Sequence, residues 1–240
     1  YHILYMIYLI LEIEIYSICT YGFIKEKTGF TLYTIKKHLD FGNKNNISVG
    51  KIIDGTNVTF KNTLGKNKEL GTVTVKGNSI TFAQGCIEVT STGFDQTYTG
   101  PVFLNENCIF TGKNITFKNA VSGAKDLTVK GSETTTFENT LNSLTKLAVE
   151  SKKTVFKNKL GNTGVLGPVS VVSDMISFEE GCTLVDSTGS EESWNGPVVL
   201  KVNCTFKGSD ITFESTVDGT YDFTVQASGT SLFRKRMDDL

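Results

Sequence analysis

Four cysteines carry the spacing most suggestive of chemistry. Cys86 and Cys108 lie 22 residues apart, and so do Cys182 and Cys204. Positions that fall opposite each other on adjacent parallel strands are about 4.8 Å apart, within the range of Cα separations that a disulfide spans. The two members differ locally, because Cys108 shares its alternation with Phe110 while Cys86 follows Gly85 at a turn. Two readings therefore stand: buried thiols in place of Thr or Val, or a disulfide within each pair. A metal site is disfavoured, because no CxxC is present and both histidines, His2 and His38, are far away. The expected cofactor complement is none, with no metal ligands.

Tyr98 in QTYTGPV and Trp194 in ESWNGPV occupy matching places. An aromatic ring before Gly-Pro either covers the edge of a packed coil or faces out to stack on a sugar; both are candidate glycan-facing residues. The densest carboxylates are Glu179-Glu180 and Glu191-Glu192, but their counterparts are Ala83-Gln84 and Asp95-Gln96. The pairing is not repeated, and each pair adjoins a Gly-containing turn, so solvated surface is expected rather than acid–base work. A His general base is missing after residue 38, and the first arginine is Arg234. The chain is expected to be non-enzymatic, with no catalytic residues.

The elements that position these residues follow from an internal duplication. GKNITFKNAVSGAKDLTV at 112–129 returns as GSDITFESTVDGTYDFTV at 208–225. The offset of 96 also carries Phe60, Phe82, Phe117 and Phe137 onto Phe156, Phe178, Phe213 and Phe233 without insertion or deletion. Roughly two in five positions are identical across the copies, the signature of a repeat architecture.

Within each copy, short segments such as VTF at 58–60, ITF at 80–82, ITF at 115–117 and ISF at 176–178 alternate apolar and polar residues. That alternation puts Val, Ile and Phe on one strand face and Thr or Ser on the other. Gly at 65, 123, 161 and 219 punctuates the strands as sharp turns require. Phenylalanine spacings of 19 to 22 set a coil of roughly twenty residues. The predicted fold is all-β: a right-handed parallel β-helix, or solenoid, rather than a two-domain sandwich, since Asn195-Gly196 is the sole Asn-Gly dipeptide and its counterpart is Thr99-Gly100. Asn62, Asn119, Asn139 and Asn158, each two residues after Phe, are expected to form an amide ladder along the axis.

The array is expected over 47–240, as units of about 56–151 and 152–240, preceded by a non-repeat segment, 1–46. Residues 1–19 are strongly apolar and read as a membrane helix, the core of an export signal, or a buried strand. Glu12 and Glu14 interrupt the run, no basic n-region precedes it, and the chain starts at Tyr1, as a fragment would. Residues 20–46 read as a linker with a basic patch around Lys36, Lys37 and His38. Formal net charge is −1, and the two arginines, Arg234 and Arg236, sit at the end. That balance excludes nucleic acid as a partner, whose binding needs clustered cations.

ITFKNAVSGAKDLTVKGSETTTFENTL, ITFESTVDGTYDFTVQASGTSLF and TSTGFDQTYTGPVFLNENCIFTGKNITF resemble the β-strand repeats of very large bacterial surface exoproteins of the filamentous-haemagglutinin and autotransporter-passenger kind. The likeness spans about residues 55–233 and rests on Thr-Phe-x-Asn, Tyr-x-Gly-Pro-Val and Asp-x-Thr-Val in combination. It implies a β-helical stalk, commonly an adhesin, secreted and held at or near the outer membrane. The implied partners are host-cell or matrix glycans and proteins. Membrane contact would come only through residues 1–19 or other parts of the parent protein. The chain departs from the pattern in its array cysteines, its Lys-rich outer positions, its first 46 residues and its RKRMDDL ending. The competing expectation is a β-helical polysaccharide lyase or hydrolase, which needs a groove lined with acids and bases. A third is ice binding through Thr-x-Thr arrays.

Overall fold

The computed structural model describes residues 23–25, 50–66, 70–235 and 237–238. The apolar segment 1–19, His2, His38 and most of the 20–46 linker lie outside these residues. The described part contains strands and turns without helix, and every strand pair is parallel. It is a β-solenoid, as the alternation and the twenty-residue spacing predict.

Each coil contributes to three faces. On the first, strands Lys51–Asp54, Val73–Lys76, Gln96–Thr99 and Ile115–Phe117 stack in order. The stack continues through the C-terminal halves of Asp126–Phe137, Lys146–Phe156 and Val169–Phe178 to Val198–Leu200. The second face runs from Asn57–Phe60 and Ser79–Phe82 through Leu160 to Leu184–Asp186, Cys204–Gly208 and Phe223–Ala227. The third runs from Leu64 through Glu88–Ser91 and Cys108–Gly112 to Glu192–Asn195, Ile211–Phe213 and Ser231–Phe233. Strand Phe23–Lys25 pairs in parallel with Ile52–Asp54.

The duplication is rotated with respect to the faces. Phe82 sits on the second face opposite Leu104, whereas its counterpart Phe178 sits on the first opposite Phe156. Tyr98 is on the first face and Trp194 on the third; Cys108 is on the third and Cys204 on the second. A 96-residue step is therefore not a whole number of coils. It preserves inside and outside while moving each residue to a neighbouring face.

Packing follows the alternation. ITF at 115–117 and at 211–213 is buried, half-buried, buried, so Ile and Phe fill the interior while Thr points out. Phe117, Phe137, Phe156 and Phe178 stack with ring centroids 5.4 Å apart at each step. Of the eight repeated phenylalanines all are fully buried except Phe233, which is half-buried. Parallel rings one coil apart add stacking to area burial.

Gly100 and Gly196 show why the Gly-Pro turns need glycine. Their φ values are 143° and 146°, a region that side chains rarely adopt, and an added Cβ would run into the carbonyl oxygen of Gly77 or Ser173 on the preceding coil.

The amide ladder does not form. Asn119, Asn139 and Asn158 instead turn their Oδ1 atoms back to accept from the N–H of the next residue, at 2.8 to 2.9 Å. This local bond satisfies the turn backbone more directly than a neighbouring amide does. Axial side-chain bonds come from other positions: Asp95 accepts from Asn114, and Asn114 accepts from the Thr134 N–H.

Candidate functional site

Tyr98 and Trp194 lie inside the solenoid, 1% and 0% exposed. Of the two readings left open, burial gives packing, and neither ring is presented to a glycan. Each shares strand alternation with the buried apolar residues, and each is boxed in by rings: Tyr98 by Phe82, Phe110 and Phe117, Trp194 by Phe156, Phe178 and Phe206. Their polar tips need internal partners. The Tyr98 hydroxyl donates to Gln96 Oε1 at 2.8 Å, and Trp194 Nε1 donates to Glu192 Oε2 at 3.0 Å.

Gln96 and Glu192 thus head two equivalent buried polar clusters. Gln96 Nε2 lies within donating range of Thr111 O (2.7 Å), Ser91 Oγ (2.9 Å) and Val89 O (3.2 Å). Glu192 has no such donor when ionised; it accepts from Ser187 Oγ at 2.8 Å and from Trp194. Burial pushes its carboxyl up to about 8, against the two hydrogen bonds, which favour the ion, and with the nearby Asp186 adding to the rise. The adjoining Gly-containing turn predicts a solvated surface for both Glu191 and Glu192. The structure agrees for Glu191, which is exposed, and overturns it for Glu192, which is buried. The signal was available: Glu192 has the same parity as Trp194, and Gln96 the same as Tyr98.

The cysteines come together within each pair. All four are buried free thiols, and within each pair the two thiols are close enough across adjacent coils to influence each other's titration. The neighbouring Cys86 thiol and then burial push the Cys108 thiol up; burial and then the neighbouring Cys204 thiol push the Cys182 thiol up. Both are therefore protonated and poorly nucleophilic in the folded chain. Partners are diagonal rather than directly opposite, since Glu88 pairs with Ile109 and Leu184 with Thr205.

Among the described residues, the densest carboxylates, Glu179-Glu180 and Glu191-Glu192, do not converge with a base on the outer surface. Thr74, Thr97, Thr116 and Thr136 form one register column on the first face, brought together only by the pairing of strands about twenty residues apart. Farther along, the column continues as Val155, Ser177 and Val199, so no extended Thr-x-Thr plane is formed. Charges pair between neighbouring coils: Lys152 with Glu133 at 2.8 Å, Lys201 with Glu179 at 3.0 Å and Arg234 with Glu214 at 2.7 Å. Glu179 is partly buried, which would raise its carboxyl, yet Lys201 and Ser177 hold it below the usual carboxylate range. Glu180 points to solvent. An open polar groove of about 600 Å³ runs along the edge between the first and second faces, bordered by Asp54, Lys76, Thr99 and Asn119, with no aromatic platform. Among the described residues, no group of three or more His, Cys, Asp or Glu is arranged to hold a metal, and no helix is long and apolar enough to cross a membrane.

These features define a three-faced parallel β-solenoid whose polar specialisation is internal. The chain matches no protein-family model, no curated protein and no solved structure.

Proposed function

We propose that this chain is a non-catalytic rod segment of a secreted bacterial cell-surface protein, of the adhesin-stalk kind, acting by reach and display. The observation that supports it most is an outer surface whose best-placed carboxylates are tied up in ion pairs between coils. Lys152 pairs with Glu133 and Lys201 with Glu179 between adjacent coils, and the exposed strand positions mix Thr, Ser and Asn with scattered apolar residues such as Ile52, Phe103, Ile109 and Val172. A β-helical lyase or hydrolase needs carboxylates and bases converging on one substrate atom. Here Glu179 is tied to Lys201 and Glu192 faces the interior.

The geometry suits a spacer. Nine strand-to-strand steps on the first face, from Lys51–Asp54 to Met237–Asp238, extend the rod by about 40 Å at the usual strand spacing. Its partners on this reading are host-cell or matrix glycans and proteins, met by the Thr-bearing faces or by other parts of the parent protein.

The test is to incubate the purified chain with a panel of acidic and neutral polysaccharides and with host cells or matrix. Binding without shortened or unsaturated products supports the rod. Turnover that disappears in Glu179→Gln or Glu180→Gln overturns it in favour of the carbohydrate-active alternative.

A further inference from the structure

We propose that Cys86 with Cys108, and Cys182 with Cys204, are two disulfide-forming sites that staple adjacent coils at equivalent places in the two copies. The inference goes beyond the rod reading and does not depend on it.

The backbone supplies the geometry. Continuing the Glu88–Ile109 register puts Ile87 opposite Cys108, an alignment fixed by the Ile109 N–H donating to Ile87 O at 3.0 Å. Cys86 is then one place back. In the second copy Thr205 N–H donates to Thr183 O at 3.1 Å, and Cys182 is one place back from the residue opposite Cys204. A lateral step of about 4.8 Å and an axial step of about 3.3 Å put the Cα atoms about 5.8 Å apart, near the commonest separation in natural bridges. Directly opposed inward residues are closer and less suited to the bridge.

The turn before the first cysteine makes the pairing possible. Gly85, at φ 96°, reverses the chain so that Cys86 points inward while Ile87 is exposed and Val89 is again buried. Cys182 likewise follows Gly181 and is fully buried. Each thiol therefore meets its partner inside the solenoid rather than solvent. Packing alone does not require a second cysteine at each site, since the inward neighbours are Val, Leu and Phe, yet both copies keep both members of the pair.

Bridging breaks two S–H bonds and forms one S–S bond. Two protons leave, and two electrons pass to a small-molecule disulfide such as oxidised glutathione, which is cleaved to two thiols. Because the folded thiols are buried, exchange takes place as the coils close during folding, and a preformed reduced rod reacts slowly.

The full chain is refolded from denaturant either in an oxidising glutathione pair or in excess dithiol, then denatured and alkylated. Of its five cysteines, only Cys19 should alkylate after oxidative refolding, with two hydrogens lost per bridge and peptides linked as 86–108 and 182–204. The dithiol sample should alkylate at all five. The bridged form should also unfold at higher urea than the reduced form. Full alkylation after oxidative refolding, linkage across the pairs, or a lower urea midpoint for the bridged form would each overturn the proposal.

Discussion

Gln96 and Glu192 stand at the same place in the two copies, both buried beside an aromatic ring, yet one side chain is a permanent donor and the other must hold a proton to donate at all. The copies are therefore equivalent in shape and unequal in their response to pH.

That inequality gives a signed pH dependence. The Glu192 carboxyl moves from its ordinary value of 4.5 to about 8 in the folded chain, so the native state binds the proton more tightly. Its contribution is fully present below about pH 4.5 and is lost as pH rises towards about 8. At pH 7 the penalty is on the order of 3 kcal/mol. Urea unfolding at pH 5, 7 and 9 should show a falling midpoint that Glu192→Gln flattens, with the variant the more stable at pH 9. An unchanged slope in the variant would refute the assignment.

Phe156 is sandwiched between Phe137 and Phe178, each centroid 5.4 Å away. Phe156→Ala should cost about 3–5 kcal/mol, because a cavity in mid-stack cannot be filled by coils that are held in register. Equilibrium denaturation measures it.

Gly196→Ala should destabilise the fold by more than about 1 kcal/mol, since the turn requires a positive φ and the new Cβ meets the Ser173 carbonyl. Gly189 also has a positive φ, 83°, but an added Cβ meets nothing within 4 Å there, so Gly189→Ala should cost less. Thermal unfolding of the two variants side by side separates steric clash from backbone strain.

Lys201→Ala removes an ion pair whose lysine is half exposed, 51%. The expected loss is about 1 kcal/mol or less, shrinking as salt is added. A large salt-independent loss would show that Lys201 does more than neutralise Glu179.

The sequence by itself determined the local grammar. Alternation in ITF and ISF sorted Ile and Phe from Thr, the phenylalanine spacing set the coil, and the offset of 96 declared the duplication. These are properties of neighbouring residues or of identity at a fixed distance, so they survive without coordinates. Tertiary structure decided which face each copy occupies. Fourteen successive face positions separate Asn57–Phe60 from the Phe156 end of its strand, one short of five three-sided coils. Phe60 and Phe156 therefore lie on different faces although the sequence aligns them. It also decided that Tyr98, Trp194 and Glu192 point inward, because amphipathic residues can satisfy their polar ends from either side of a strand and only the packed interior chooses between them.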